Sequence, residues 1–389
     1  MRVLAITKLF PNRLQPLAAA FNRQQFAALA NLCDLEVVAT IPWFPGARAL
    51  SRWTNAGRVA AVPRRDRIAG MTVSHPRVLY VPKVGHSIAG ALCIASLLPD
   101  VMARRGQVDV ILASWAYPHG AAAVTLGRLL DAPVVVKLHG SDMNVIAKMP
   151  GPRRHLAWAL PRAARVVAVS RALAETAVDV GVAPSVIDIV INGVDGELFY
   201  PRDRAAMRDE LSLAGDGPLL LYVGWLERAK GILDLLDAFE AVRRSIPRAT
   251  LVVVGDGSER VEVERRAAAI GGVKLAGARP HSEVARWMGA CDVLALPSWN
   301  EGTPNVVLEA LASGRRVVAT AVGGIPDLLV SEGLGQLVPV RDAAALSTAL
   351  TSTLSSPYDP ARVAELGSHG TWQDSAGRLH ASLAQAASR

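Results

Sequence analysis

Residues 299–310 read WNEGTPNVVLEA and place Glu301 and Glu309 on either side of a Gly-Thr-Pro-Asn turn. Pro304 suits the first position of a helix, because its missing N–H would have no partner there. The helix predicted over 305–312 is apolar apart from Glu309, and burying that carboxylate is costly unless a neighbour hydrogen-bonds it. This stretch therefore predicts a turn, a helix and a carboxylate held in place.

The start of this helix is a candidate anion site. Backbone N–H groups of Thr303, Asn305 and Val306 would point at a ligand there, as helix starts commonly do for phosphates. With Glu301 before them and Glu309 behind, the stretch suits a ligand that carries both phosphate and sugar hydroxyls, namely a sugar nucleotide. An ordinary capped helix with a solvated glutamate at each end fits these residues equally well.

Length and composition narrow the class of protein. The chain has 389 residues, of which 51% are hydrophobic and 20% charged, so two domains with substantial cores are expected. Cys33, Cys93 and Cys291 form neither a disulfide framework nor a zinc spacing, which favours a reducing cytosol. The apolar run at 3–7 is too short for a signal peptide, and no uncharged apolar run approaches a membrane span. The sequence predicts a soluble, cytoplasmic protein.

Positive charge is concentrated in the first half. Residues 1–200 contain 22 Lys and Arg against 12 Asp and Glu, whereas the remainder contains 20 against 22. Such a basic half could dock on the anionic inner face of a membrane, or it could simply be solvated. Nucleic acid is not expected as a partner, because five Tyr and six Phe leave few platforms for base stacking. The main basic clusters lie at 64–67, 104–105 and 153–154.

Short β-branched runs alternate with amphipathic segments, a pattern of parallel sheets covered on both faces. The alternation of strands and helices begins again near residue 219. We therefore predict two doubly wound α/β domains, with a boundary near the turn at 192–195. Ligands of such sheets bind beyond the carboxyl ends of the strands, and a cleft between the domains is the expected site. The predicted helices include 18–31, 119–130 and 171–180. The predicted strands are 3–7, 36–40, 108–113, 134–138, 165–169, 186–191, 219–223, 250–254, 273–275, 293–296 and 317–320.

Polar residues follow one strand of the first half. The strand at 134–138 ends in His139, Gly140, Ser141 and Asp142. Glycine permits close approach of the backbone to a ligand, so His139 is a candidate functional residue. A structural histidine is the plain alternative.

Two strands of the second half also end in suggestive residues. The strand at 219–223 runs into Gly224 and then Arg228 and Lys230, cations that are unfavourable at a helix start unless they face an anion such as a diphosphate. Solvated basic side chains would explain them as well. Gly255 follows the strand at 250–254, but the third glycine of a dinucleotide fingerprint is missing.

The combination of these blocks resembles the retaining glycosyltransferases of family 4. Segments that resemble the family's patterns occur in its order along nearly the whole chain. The resemblance implies the GT-B fold: two Rossmann-like domains facing a cleft, with a C-terminal helix crossing back. Residues 1–197 with helix 373–389 would bind the acceptor, and residues 198–372 would bind the nucleotide sugar. The segments are 169–182, 191–201, 223–231, 252–260, 296–320 and 322–326.

The resemblance also implies roles for single residues. Glu309 would bind the ribose hydroxyls, Glu301 the hydroxyls of the transferred sugar, and Lys230 the diphosphate. His139 would lie beside the transferred sugar, and with Lys230 and Glu301 it makes up the implied catalytic set. The implied donor-binding set is Gly224, Arg228, Lys230, Gly255, Arg279, Glu301, Gly302, Thr303, Pro304, Asn305, Val306 and Glu309.

The acceptor side and the metal requirement are also implied. Asp142 and Phe21 would belong to the acceptor-side loops. No Asp-x-Asp pair stands in a suitable loop, so we expect no metal and no cofactor beyond the substrate. The departing diphosphate would then be stabilised electrostatically, and a phosphate oxygen would take the proton of the attacking hydroxyl. The acceptor would be a glycan or a polyprenyl-linked sugar, which suits cell-surface polysaccharide synthesis.

The chain departs from the family pattern at two places. Trp225 stands where the family usually has Arg, and Ala19 and Ala20 stand where it usually has glycine before Phe21. Two other functions therefore stay open: a non-hydrolysing sugar-nucleotide epimerase of the same fold, and a subunit without turnover. Residues 42–67 show no clear period and are predicted to be an irregular excursion.

Overall fold

The computed structural model describes residues 1–81, 87–213 and 217–388. The chain forms two compact units, Met1–Asn192 with Trp372–Arg389, and Gly193–Thr371. Residue 389, the last of the predicted C-terminal helix, lies outside the described residues. The predicted boundary at 197, and the division into an acceptor-binding and a donor-binding domain, stay predictions.

The strands, in chain order, are β1 (Arg2–Thr7), β2 (Asp34–Ala39), β3 (Ile41–Trp43), β4 (Arg65–Ile68), β5 (Met71–Ser74), β6 (Arg77–Leu79), β7 (Val110–Ser114), β8 (Val134–Lys137), β9 (Arg165–Ala168), β10 (Ile187–Ile189), β11 (Leu219–Val223), β12 (Thr250–Val254), β13 (Val273–Gly277), β14 (Val293–Leu296), β15 (Arg316–Thr320) and β16 (Gly335–Val338).

The helices are α1 (Ala20–Leu29), α2 (Asn55–Arg58), α3 (Ala89–Met102), α4 (Ala121–Leu130), α5 (Ser141–Asn144), α6 (Pro150–Ala159), α7 (Arg171–Asp179), α8 (Arg204–Glu210), α9 (Ile232–Ser245), α10 (Arg260–Ile270), α11 (His281–Ala290), α12 (Asn305–Ala312), α13 (Ile325–Leu328), α14 (Ala343–Ser355), α15 (Pro360–Leu366) and α16 (Trp372–Ala387).

The described residues of the first unit form an eight-stranded sheet in the order β10-β9-β8-β7-β1-β2-β5-β4. All neighbours are parallel except β4 and β5, which pair antiparallel at one edge. Strand order reverses between β1 and β7, where the chain leaves one side of the sheet for the other. This reversal places the carboxyl ends of β1, β7 and β8 next to each other, where ligands of open α/β sheets bind.

Both faces of this sheet are buried, because alternate side chains of each strand point to opposite faces. Leu4 and Ile6 of β1 pack in one apolar cluster with α3 and α4. Val3 and Ala5 pack in the other cluster, with α1 and α16. Helix α16 contributes residues at helical spacing to that cluster, namely Trp372, Ala376, Leu379, Leu383 and Ala386.

The second unit contains a parallel six-stranded sheet in the order β13-β12-β11-β14-β15-β16. Counted within the unit, this is the order 3-2-1-4-5-6 of the Rossmann fold, with its reversal between β11 and β14. Its core includes Leu220 and Tyr222 of β11 with Leu235 and Phe239 of α9. The prediction of two doubly wound α/β units is confirmed.

Each strand predicted from the sequence is present, with both ends within two residues of the predicted ones. Strands β3, β4, β5, β6 and β16 were not predicted. The prediction that residues 42–67 are irregular is wrong in part, since the segment contains the end of β3, a one-turn 3-10 helix at Ala47–Leu50, α2 and the start of β4. These elements are three or four residues long, too short to show a hydrophobic period.

Candidate active site

Loops meet at the carboxyl edge of the second sheet, and glycines allow their close contact. Gly255, after β12, has a φ of 147°, and a Cβ there would lie 1.8 Å from the carbonyl oxygen of Gly224, after β11. Gly231 has a φ of 69°, and a Cβ there would lie 1.9 Å from the carbonyl oxygen of Pro297, after β14. The backbone of three strand ends thus packs without intervening side chains.

Lys230 and Glu301 meet at this edge. Lys230 ends a one-turn 3-10 helix, Arg228–Lys230, after β11, and Glu301 lies in the loop after β14. The Lys230 Nζ donates to Glu301 Oε1 at 2.7 Å. The loops are also joined by a backbone bond of 2.9 Å from Trp299 N–H to the carbonyl of Ala229. The structure therefore brings a cation and a carboxylate together at the point where the strand order reverses.

The loop 301–304 leads into helix α12, whose predicted bounds of 305–312 are confirmed. The placement of Pro304 at the first helical position is wrong: it is the extended residue before the helix, with φ −74° and ψ 113°, and no side chain caps this end. Gly302 accepts a backbone hydrogen bond of 2.6 Å from Gly324 N–H. Thr303, Asn305 and Val306 are half-buried.

Glu309 is buried, 7% exposed, on helix α12. Its Oε1 lies 3.1 Å from Nε2 of His281, the first residue of α11. The ring of Phe199 packs edge-on against His281, with centroids 5.5 Å apart. The hydrogen-bonding neighbour that the sequence required for this carboxylate is therefore His281, which sequence reasoning missed. Its position two residues after Arg279, a member of the implied donor-binding set, is the signal that could have found it.

Three other residues of the second unit have more exposed positions. Arg228 Nε lies 3.7 Å from Glu259 Oε1 with 68% of its side chain exposed. Arg279 Nε donates to the carbonyl of Ala276 at 2.7 Å. Trp225 is 64% exposed beside Gly224, where the family usually carries Arg. The ligand contacts of Arg228 and Arg279 stay predictions.

In the first unit, His139 follows β8 and lies among aromatic side chains. Its Nε2 is 2.8 Å from Oγ of Ser114, at the end of β7. Its ring stacks on Trp115 at a centroid distance of 6.2 Å and tilts against Phe21 at 5.5 Å. Burial and the charge of Lys137 hold the pKa of His139 well below its ordinary value, so the ring is neutral near pH 7.

Asp142 organises the loop after β8. Its fully buried carboxylate accepts hydrogen bonds from the N–H groups of Ala116 at 2.9 Å, Gly140 at 2.8 Å and His139 at 3.1 Å. Burial raises the pKa of this carboxyl, and these amide bonds oppose the rise. Asp142 thus supports the backbone of the His139 loop.

Trp115 is held in strained backbone geometry next to His139. Its φ is 145°, a region that bulky residues rarely adopt. Such strain persists only where the surrounding structure enforces it, and it clusters at functional sites. Trp115, whose ring stacks on His139, is therefore a further candidate residue of the site.

A buried lysine lies beneath this loop. Lys137, the last residue of β8, is fully buried, and its Nζ donates to Oε1 of Gln25 on α1. Gln25 Nε2 donates in turn to Ser375 Oγ of α16 at 2.9 Å. Burial lowers the pKa of Lys137 to about 7. These contacts fix α1 and α16 against β8, the strand that precedes His139.

The described residues were also compared with the requirements of a metal site and of a membrane-spanning helix. Within the described ranges, no group of three or more His, Cys, Asp or Glu side chains could hold a metal ion. No helix in those ranges is long and apolar enough to cross a bilayer. The expected metal independence stays a prediction.

Two protein-family models together match most of the chain. Residues 37–198 match the model described as Glycosyltransferase Family 4, and residues 217–356 match the model described as Glycosyl transferases group 1. TuaC of Bacillus subtilis, a glycosyltransferase assigned to teichuronic acid biosynthesis, is 31% identical over 90% of this chain and 88% of its own. D-inositol 3-phosphate glycosyltransferase 1 of Catenulispora acidiphila is 28% identical over 91% of this chain and 84% of its own.

Solved structures show the same architecture. HepE of Anabaena, crystallised in complex with UDP, superposes with a TM-score of 0.74 at 19% identity, covering 99% of this chain and 100% of its own. Sucrose-phosphate synthase from Thermosynechococcus elongatus gives a TM-score of 0.71 at 22% identity, covering 99% and 96%. At these identities the likeness shows the fold.

Proposed function

This chain belongs to glycosyltransferase family 4, and we propose that it transfers a sugar from a UDP- or GDP-sugar to a glycan or lipid-linked acceptor, with retention of anomeric configuration. The observation that carries this proposal is the Lys230–Glu301 pair, 2.7 Å apart beside the start of helix α12. A cation, helix amides and a carboxylate at one sheet edge suit a diphosphate joined to a hydroxylated ring.

The proposed reaction needs no protein base. Lys230 and the amides at the start of α12 stabilise the charge that develops on the leaving diphosphate, and such stabilisation is usually the largest catalytic contribution. The acceptor hydroxyl attacks from the face that the diphosphate leaves, and a phosphate oxygen takes its proton. Glu301 binds hydroxyls of the transferred sugar, and Glu309 binds the ribose. His139, neutral near pH 7, accepts or donates a hydrogen bond beside that sugar.

The relatives point to the acceptor class. TuaC is assigned to teichuronic acid synthesis and the Catenulispora relative to transfer onto an inositol phosphate, so polar, hydroxyl-rich acceptors are expected. Cell-surface polysaccharide synthesis without a metal or other cofactor is the function that we propose for this chain.

Incubation of the protein with labelled nucleotide sugars and lipid or glycan acceptors tests the proposal. Transfer with an α-linked product from an α-linked donor, read from the anomeric coupling by NMR, is the expected result. Formation of an epimeric nucleotide sugar would show the epimerase instead. Neither product with any of the UDP- and GDP-sugars would favour the subunit without turnover.

Membrane docking is a second part of the proposal. Residues 41–65 contain five arginines and no acidic residue, and they expose Trp53 at 77% and Leu50 at 38%. The loop 12–19, which exposes Leu17 at 67%, is joined to this segment by a bond of 3.4 Å between Gln15 and Asn55. Basic and amphipathic side chains of this kind bind anionic interfaces.

Flotation with vesicles tests this docking. The protein should float with vesicles that contain anionic lipid, and Trp53→Ala should reduce the floated fraction several-fold. Trp225→Ala, at a tryptophan of the other unit that is 64% exposed, is the control and should leave the floated fraction unchanged. Equal flotation with neutral and anionic vesicles would contradict the proposal.

A further inference from the structure

Trp299 joins the two loops that carry Lys230 and Glu301. It stands in the loop after β14, two positions before Glu301. Its backbone N–H donates to the carbonyl of Ala229 at 2.9 Å, and Ala229 directly precedes Lys230 in the loop after β11. A backbone hydrogen bond therefore holds the two loops together next to the Lys230–Glu301 pair.

The side chain of Trp299 extends this connection to helix α9. Its indole Nε1–H donates to Oδ2 of Asp234 at 2.7 Å. Asp234 lies in the first turn of α9, and this helix begins two residues after Lys230. The short segment that carries Lys230 thus has Trp299 bonded to it on one side and to the helix start on the other.

Arg341 covers the ring of Trp299. Its guanidinium carbon lies 3.9 Å from the ring centroid, which is within the range of cation–π attraction. Arg341 follows β16 by three residues, and its φ of 60° lies in the left-handed region that residues other than glycine seldom adopt. Trp299 is therefore held from a third loop, by a residue in strained backbone geometry.

The contacts of Trp299 are directional, because they comprise two hydrogen bonds and a stacked cation. The side chain is half-buried, so filling the core explains only part of its surroundings. We propose that Trp299 is a positioning residue for sugar transfer. Through Ala229 and Asp234 it fixes the two loops so that Lys230 and Glu301 hold the diphosphate and the transferred sugar in the orientation that attack requires. This inference rests on the proposed function.

Loss of this arrangement should affect turnover more than affinity. A displacement of about 1 Å from the productive geometry can lower a rate about 100-fold. The nucleotide keeps Glu309, which His281 contacts at 3.1 Å on other elements of the unit. The flexible stem of Lys230 also still reaches the diphosphate after a small shift of its loop. We therefore expect kcat to fall while the donor Kd stays nearly constant.

Substitutions at Asp234 test the proposal without changing a residue expected to touch the substrate. Asp234→Asn keeps an oxygen that accepts from the indole N–H, whereas Asp234→Leu has none. Both lose the charge that favours a helix start, so their comparison isolates the hydrogen bond. Asp234→Leu should lower kcat at least about tenfold, and Asp234→Asn should keep it within about threefold.

Asp237→Leu is the matched control. It removes a carboxylate from the same helix, where Asp237 pairs with Arg266 at 2.6 Å, and it should keep a normal kcat. Equal losses in Asp234→Leu and Asp234→Asn would overturn the proposal, as would turnover within threefold of normal in Asp234→Leu.

Changes at Trp299 and Arg341 test the other contacts. Trp299→Phe removes the indole N–H but keeps the backbone bond to Ala229. Because Trp299→Phe and Asp234→Leu remove the same hydrogen bond, their losses in kcat should be far from additive when the two are combined. Arg341→Asn removes the cation with a residue that tolerates the left-handed region, and it should lower kcat about threefold. Additive losses in the double variant would contradict the shared contact.

Donor binding separates positioning from a folding role. Calorimetric titration of Asp234→Leu with UDP- and GDP-sugars gives the donor Kd and the number of sites per chain. We expect a Kd within about threefold of normal and one site per chain, as in the unchanged protein. A fall in the number of sites equal to the fall in kcat would show that the substitution only unfolds part of the protein, and it would overturn the proposal.

An NMR measurement decides the positioning role without any activity. The chain has six lysines, and reductive ¹³C-methylation gives each accessible one a resonance, with that of Lys230 identified by its loss in Lys230→Met. This resonance should shift in Asp234→Leu and stay in place in Asp234→Asn. An unchanged Lys230 resonance in Asp234→Leu would overturn the positioning role, whereas a protein that neither binds nor consumes nucleotide sugars would overturn the proposed function itself.

Discussion

The ammonium of Lys230 lies 2.7 Å from Oε1 of Glu301, although 71 positions separate the two residues in the chain. Their side chains are 29% and 11% exposed, so the pair is partly shielded from solvent. The contact fixes the position of the cation before any ligand binds. It also means that a bound diphosphate would share Lys230 with Glu301, the carboxylate proposed to bind the transferred sugar.

Removal of the Lys230 charge should abolish most turnover. We expect Lys230→Met to lower kcat/KM about 100- to 1,000-fold, the loss typical of removing one group that stabilises developing negative charge. Steady-state transfer assays measure the effect, and circular dichroism checks that the fold is kept. Lys274→Met is the matched control and should keep normal activity. Turnover within threefold of normal for Lys230→Met would contradict its assignment.

Glu309 should determine affinity for the nucleotide. Hydrogen bonds to a charged group contribute about 1.5–3 kcal/mol, so Glu309→Gln should raise the donor Kd about 10- to 100-fold. The donor-induced rise in Tm should shrink accordingly. Glu283→Gln, on the neighbouring helix α11 and paired with Arg279 at 3.4 Å, should leave it unchanged. A normal donor Kd for Glu309→Gln would contradict the proposal that Glu309 binds the ribose hydroxyls.

Ala19 should be replaceable by glycine with a gain in stability. It precedes α1 with φ 47° and ψ 46°, the left-handed conformation, which costs a non-glycine residue about 1–2 kcal/mol. Ala19→Gly relieves this cost but increases the unfolded-state entropy by about 0.4–1 kcal/mol, for a net gain of about 1 kcal/mol.

Ala18→Gly is the control for that substitution, because it changes the unfolded chain in the same way without relieving strain. It should lower the free energy of unfolding by about 0.4–1 kcal/mol. Urea titrations of both variants measure the difference. Changes of the same sign would show that position 19 is not strained.

His119 should make the protein less stable as the pH falls. It is buried against Thr40, with Nε2 and Oγ1 2.7 Å apart, and burial lowers its pKa from 6.5 to about 3. The unfolded chain binds this proton below about pH 6.5 while the folded one does not. Stability that is fully present above pH 6.5 is therefore lost toward pH 3, at about 1.4 kcal/mol per pH unit.

Comparison with His119→Asn isolates this contribution, because the other buried histidines stay in both proteins. The free energy of unfolding should depend less steeply on pH in the variant, between pH 4 and pH 6. Parallel curves for the two proteins would show that folding does not lower the pKa of His119.

The sequence predicted the parallel strands well because each carries a run of mostly apolar side chains. The predicted strands 219–223, 250–254 and 293–296 have the same bounds as β11, β12 and β14. Strand β16 was missed because its Gly-Gln-Leu-Val has only two apolar side chains and half of it is exposed. The short elements between 41 and 68 depend on contacts with the rest of the unit, which sequence periodicity does not record.

For the site, the residue types were predictable and most of their partners were not. The need for a neighbour of Glu309 follows from its apolar helix, but His281 is identified only once α11 is placed beside α12. The contacts of Asp142 depend on the backbone path of the loop after β8 and on Ala116, 26 positions away. Such pairings come from the packing of elements that are neighbours in the fold, not from spacing along the chain.

Helix α16 belongs to the first unit, although the whole of the second unit precedes it in the chain. During synthesis, all residues of the second unit therefore leave the ribosome before the first unit has its last helix and can finish folding. Until residues 372–387 emerge, one face of the first sheet stays uncovered along its Leu379 and Leu383 contacts. We expect the nascent chain to depend on chaperones most strongly in that interval, and a stop codon shortly before residue 372 to leave a folded second unit joined to an aggregation-prone first one.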